Sequence, residues 1–258
     1  MRHSFEHAFL DAQGKVAVIT LNHDATINAL SAGMVESLNG ALDAVEKGSF
    51  RALVLTGAGR GFCSGADMKE LPARRVEGAG RVLERLFHPL FRRLRDLCMP
   101  IVTAVNGPAV GIGMSLALMG DLIVAARGSY FLLSFTQIGL VPDGGATFLL
   151  PRLIGLARAR ELALLADPLP AEQALDWGLI NQVVDHTQLM GEATGLARRL
   201  AEGPAALPLT RQLFWDKEGY EAQLAREAAA QQRAGATNDF AEGLAAFLEK
   251  REPRFRGD

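Results

Sequence analysis

The chain has 258 residues, 49% hydrophobic and 22% charged, with 27 basic and 29 acidic residues and a net charge of −2. A chain of this length buries roughly 70–75% of its unfolded surface, so its core needs no disulfide or metal staple, and the composition is that of an ordinary globular protein. The balanced charge argues against a nucleic-acid partner, because there is neither a basic excess nor a basic stripe; Arg92-Arg93-Leu94-Arg95 reads as the solvated face of a helix.

Residues 16–21 are apolar and β-branched and predict a buried strand. Residues 5–10 are its predicted hairpin partner, across a turn at Asp11-Ala12-Gln13-Gly14. Ser31 stands where an N-cap belongs, and Met34, Leu38, Leu42 and Val45 follow at helical spacing until Gly48. Residues 52–56 predict a second buried strand, stopped by the loop Gly57-Ala58-Gly59-Arg60-Gly61. A long helix is predicted over 78–98, a strand over 101–105 and a helix from Gly111. Strands follow at 122–125 and 130–132, helices at 144–154, 156–166 and 171–177, and a last strand at 181–184.

From residue 187 onward the pattern is helical only. Alternating strands and helices predict an α/β fold with mostly parallel pairing. The helical tail has no strand core and should pack on the first part or on a neighbouring subunit. Residues 101–126 carry one charge, Asp121, but Asn106-Gly107-Pro108, Gly111, Gly113 and Gly120 interrupt them. A membrane span needs about 20 unbroken apolar residues, so this stretch predicts the buried centre of the molecule. Two cysteines, Cys63 and Cys98, are too few for a disulfide framework and fit a reducing compartment. The first residues lack the apolar segment of a secretory leader, and a cytoplasmic location is expected.

Three loops carry candidate chemistry. Gly57-Ala58-Gly59 resembles the start of a dinucleotide fingerprint, but Phe62 stands where the third glycine belongs. Gly61-Phe62-Cys63-Ser64-Gly65 has the pattern of a nucleophile elbow, yet the loop separates Cys63 from its strand, and neither His88 nor His186 is set as its base. Cys63 therefore reads as a small buried residue. In Asn106-Gly107-Pro108-Ala109-Val110-Gly111-Ile112-Gly113 a strand ends and a helix starts at glycines. Free N–H groups at such a start suit an oxyanion, and close packing of small residues fits the pattern equally. Asp143, between Pro142 and Gly144-Gly145, reads either as a helix cap or as a general base in a dry cleft.

Together these loops resemble the enoyl-CoA hydratase/isomerase family, the crotonase superfamily. The resemblance rests on Leu21-Asn22 with Asn28-Ala29-Leu30, on 61–67, on 104–113, on 139–147 and on the ending 242–251. It spans nearly the whole chain in the right order. It implies a crotonase-like α/β spiral of ββα units (residues 1–190) and a helical C-terminal region (191–258) that serves trimerisation and as a lid. A homotrimer or dimer of trimers is implied, with an acyl-CoA thioester as substrate. No cofactor or metal is expected beyond the coenzyme A of the substrate, and neither nucleic acid nor membrane as a partner.

By motif position the resemblance places an oxyanion hole at the N–H groups of Ser64 and Ile112. It places coenzyme A along Ile27, Ala29, Ala66, Asp67 and Met68, with Gly65, Gly111, Ser115, Phe135 and Pro142 completing the substrate site. The hydratases of the family carry two glutamates, and the matching positions here are Ser115 and Phe135. Water addition needs that pair, so their joint absence argues for an isomerase, with Asp143 moving a proton from one carbon to another. The stretch 139–155 is most similar to the enoyl-CoA isomerase and 1,2-epoxyphenylacetyl-CoA isomerase branch. Hydration through Asp143 alone, thioester hydrolysis or dehalogenation, and a non-catalytic acyl-CoA-binding protein are the alternatives. Phe87, Leu90, Phe91, Phe131, Phe135 and Phe148 read as pocket wall or as core.

Overall fold

The computed structural model describes residues 2–70 and 76–257; of the two regions expected above, Met1, residues 71–75 and Asp258 lie outside it. Strands β1 (Arg2–Ser4), β2 (Ala8–Gln13), β3 (Val16–Leu21), β4 (Ala52–Gly57), β5 (Ile101–Val105), β7 (Leu122–Ala126) and β10 (Gln182–Val184) form one sheet, in the order β1-β2-β3-β4-β5-β7-β10. From β3 onward the pairing is parallel, and β1 and β2 are antiparallel additions at one edge. Short strands β6 (Ala109–Val110), β8 (Tyr130–Leu132) and β9 (Leu169–Pro170) make a second sheet. Isolated bridges from Cys63 to Ala109 and from Leu30 to Ala66 extend its pairing.

Both faces of the sheet are buried at strands β3, β4, β5 and β7, which is why these are continuous apolar runs. Side chains alternate with the strand period. Ala17, Ile19, Leu53, Leu55, Ile123 and Ala125 join the main core. Val16, Val18, Val54, Val102, Ala104 and Val124 join a second core with Leu189, Ala193, Ala197 and Ala201. Those four stand four apart on one helix, Leu189–Glu202, so three alanines let it lie close on the valines. Helix α1 (Ala32–Lys47) begins as expected, with the Ser31 side chain accepting from the Met34 N–H.

Three expectations are corrected. β2 runs through Asp11 and Ala12, and the reversal is at Gly14-Lys15, with Gln13 opposite Val16. Asp11 is held in the strand by a two-point ion pair with Arg2 across β1. The long helix is broken into α2 (Ala79–Val82), a π-helical turn (Leu83–Phe87) and α3 (His88–Asp96). The helix after Pro142 starts only at Ala146, because Gly144 and Gly145 have φ of 66° and 82°. Helix α4 spans Ile112–Ala117, α5 Ala146–Ile154, α6 Leu156–Leu165 and α7 Ala171–Asp176. Helix α8 is Leu189–Glu202, and the tail adds α9 (Ala206–Leu213), α10 (Lys217–Ala234) and α11 (Asn238–Glu249). Among the described residues no helix is long and apolar enough to cross a membrane.

Candidate active site

Two loops meet over the short sheet. The N–H groups of Phe62 and Cys63 both donate to Pro108 O, at 3.1 and 3.0 Å, and the Val110 N–H donates to Cys63 O at 2.9 Å. Asn28 braces the first loop from below, donating to Ala58 O and Gly61 O and accepting from the His23 N–H. At the meeting point Gly65 has φ of 101°, and a Cβ there would lie 2.9 Å from Val110 O. Only glycine combines that dihedral with that approach. Cys63 is fully buried, and burial pushes its thiol up to about 12, so it is no nucleophile at neutral pH.

The loops open into a cavity of about 700 Å³, part of it open to solvent. Of the sequence-predicted residues, Ser64, Gly65, Ala66, Met68, Gly111, Ile112, Phe135 and Asp143 line it. Ile27, Ala29, Asp67, Ser115 and Pro142 do not line it; Ile27 supports the floor through its carbonyl, and Asp67 Oδ1 accepts from the Lys69 N–H. Phe87 also belongs to the wall, whereas Leu90, Phe91 and Phe131 are core and Phe148 packs with Tyr220 and Leu224. Val82, Leu83, Ile138, Leu140 and Phe240 complete an apolar wall.

The expected donor at Ser64 requires correction. Its N–H donates to Ile27 O at 2.9 Å, and its hydroxyl donates to Thr26 O at 2.6 Å. A donor already engaged with a backbone acceptor is not free to receive a developing charge. Among the described residues, no acceptor takes the N–H of Ala66 or of Ile112. Each is the residue directly after a cavity glycine, Gly65 or Gly111.

Among the described residues of this wall Asp143 is the one ionisable side chain, and it is 5% exposed. It does not cap helix α5, whose N-cap is Gly145 with no side-chain cap bond. At its start the N–H groups of Gly145 and Thr147 donate to Glu227 at 2.8 and 3.1 Å, and that of Ala146 donates to the Asp143 backbone carbonyl at 3.3 Å. Burial pushes the Glu227 carboxyl up, against the Thr147 hydroxyl and the two N–H donors that lower it. The Asp143 Oδ2 accepts from Gln231 Nε2 at 3.0 Å, and its backbone carbonyl accepts from the Ser115 hydroxyl at 2.7 Å.

Glu227 and Gln231 were missed in the sequence. Their signal is two polar residues on the apolar stripe of α10, between Leu224 and Ala228 and one turn beyond, where a solvated face is not available.

Residues 11–258 match the family model described as enoyl-CoA hydratase/isomerase. The chain is 44% identical to the 1,2-epoxyphenylacetyl-CoA isomerase of Escherichia coli strain K12, over 94% of this chain and 95% of that one. The chain belongs to the enoyl-CoA hydratase/isomerase family. A probable enoyl-CoA hydratase of Rhodobacter capsulatus is 42% identical, with 94% of this chain and 95% of the relative covered. A solved enoyl-CoA hydratase from Mycobacterium avium subsp. paratuberculosis K-10 superposes with a TM-score of 0.85 at 32% identity, covering 98% of this chain and 100% of the other. An enoyl-CoA hydratase/isomerase from Pseudoalteromonas atlantica T6c gives 0.86 at 29% identity, covering 97% and 100%. The fold is therefore the crotonase fold, and the protein is an enzyme of the enoyl-CoA hydratase/isomerase family.

Proposed function

We propose that this enzyme is an acyl-CoA isomerase that shifts a double bond, or rearranges an epoxide, through a thioester enolate. The observation that carries the reading is one carboxylate, Asp143, on a mostly apolar wall that also holds the N–H groups of Ala66 and Ile112. The thioester carbonyl sits between those two donors. Asp143 takes a proton from the α-carbon of a 3-enoyl thioester. The electron pair moves onto the carbonyl oxygen, where the two N–H groups hold it. Asp143 then returns the proton to the γ-carbon, and the double bond becomes conjugated. The shift has no net proton change, so one carboxylate serves both steps. Each preorganised N–H is worth about 3–4 kcal/mol of barrier.

Hydration needs a second polar group to activate and orient water. Ser115 is fully buried and spends its hydroxyl on the Asp143 carbonyl, and Phe135 adds an apolar ring to the wall. We place coenzyme A along the 27–29 and 66–68 stretches, in the cytoplasm, and the helical tail as trimer contact and lid. Leu209, Leu213 and Phe214, exposed at 64%, 86% and 87%, supply an apolar surface for that contact.

Asp143→Asn tests the base. It is expected to abolish conversion of a 3-enoyl-CoA to its conjugated isomer, a loss of at least about 10²-fold, while calorimetric binding of the thioester is retained. Retained turnover in that variant overturns the assignment.

A further inference from the structure

Helix α10 contributes more than a lid. Gln231 makes two directed bonds to the loop that carries the base. Its Oε1 accepts from the Val141 N–H at 3.0 Å, and its Nε2 donates to Asp143 Oδ2 at 3.0 Å. The first bond fixes the amide's orientation, because an amide turned over would set two donors against each other at Val141. The Nε2 group therefore faces the carboxylate by construction. Gln231 is 2% exposed and also borders the cavity, so water does not compete for these bonds. One turn earlier, Glu227 grips Gly145 and Thr147 on the far side of Asp143.

We propose that Gln231 is a positioning residue that fixes the carboxyl plane of Asp143, holding Oδ2 as a permanent acceptor through both proton transfers. This rests on the reading of Asp143 as the acid/base. An amide suits the task in both halves of the reaction. When Asp143 is ionised, Oδ2 accepts from the amide. When Asp143 carries the substrate's proton, Oδ2 as the carbonyl oxygen still accepts. The carboxyl plane then stays fixed while the proton is taken from the α-carbon and returned to the γ-carbon. A carboxylate at position 231 would keep the Val141 bond but set two like charges about 3 Å apart, which cannot both ionise. Among the described residues, the ionisable groups packed around this turn are Glu227 and Tyr220 of the same helix. From α3, Phe91 faces Gly144, and Arg95 lies over the Tyr220 ring.

The test compares Gln231→Met and Gln231→Glu with the unmodified enzyme and with Asp143→Asn, using a 3-enoyl-CoA across a pH series. Gln231→Met preserves volume but removes both bonds. It is expected to lower kcat about tenfold with KM changed less than about twofold, the signature of a loss felt in the transition state. Gln231→Glu retains the loop anchor and is expected to move the acidic limb of the kcat/KM profile upward by at least about one pH unit. Circular dichroism and thioester binding check that each variant is folded. Wild-type kcat and an unmoved acidic limb in both variants overturn the positioning role. A folded Gln231→Glu variant whose only change is in KM overturns it too. Turnover in Asp143→Asn overturns instead the assignment of the base, so the two failures are distinct.

Discussion

Asp143 owes its place to its neighbours at the turn. The Val141-Pro142-Asp143-Gly144-Gly145 string is legible as a break before a helix, and the family resemblance marks its aspartate. Local chemistry alone favours Asp143 as a cap, because nothing nearby in sequence reveals that Glu227, 82 residues beyond Gly145, takes the Gly145 N–H. The two glycines are demanded by both backbone and packing. Gly145 has φ of 82°, and a Cβ there would run into the Tyr220 ring. Gly155 has φ of 79° but nothing within 4 Å of its Cβ position. Gly155→Ala, at φ 79° and ψ 158°, should therefore cost about 1–3 kcal/mol of backbone strain, and Gly145→Ala, at φ 82° and ψ 8°, about 1–2 kcal/mol of strain with about 1–3 kcal/mol more for overpacking. Urea denaturation of the two variants measures the difference. The error at Ser64 also belongs to this scale. A motif gives the loop, but which of its N–H groups is free depends on a bond to Ile27 O from a distant segment.

At the level of elements, strands β3, β4, β5 and β7 were legible because burial on both faces writes them as apolar runs, whereas β1, β6 and β9, two or three residues each, were not. Helices α1, α6 and α7 were legible from period and breakers, α5 in all but its start, and α8 only as part of an undivided helical tail. The π-helical turn at 83–87 was missed, although Pro89 has no N–H for the Arg85 carbonyl four residues back and so marks a break in the 78–98 helix. It turns Leu83 and Phe87 onto the cavity wall and delivers His88 into the interior, where the ring is 1% exposed. Burial, and secondarily the Arg92 charge, pull the His88 imidazole down from 6.5 to about 4, with Glu221 opposing. The unfolded chain then binds the proton more readily than the native state between those values. Stability is full above pH 6.5 and is lost as pH falls toward about 4. The midpoint of urea unfolding should fall on acidification through this window, and His88→Leu should flatten that dependence. An unchanged slope in the variant would show that other groups carry it.

Across the whole molecule, the sheet and the short strands set two loops in fixed contact, and the tail closes the cavity with Gln231 and Phe240. The fold class and the two loops were legible because they are sequence-local. The contribution of the tail was not, because Gln231 acts across 88 residues of chain and sits on a helix whose pattern gives only amphipathicity. On the proposed reading the chemistry follows from this arrangement, with one carboxylate on a mostly apolar wall and no second one among its described residues. Incubation with a 3-enoyl-CoA, followed by mass spectrometry and conjugated-thioester absorbance, tests this most directly. The account predicts a product of unchanged mass whose double bond has become conjugated. A product that has gained the mass of one water, formed at a rate equal to or above isomerisation, would contradict it.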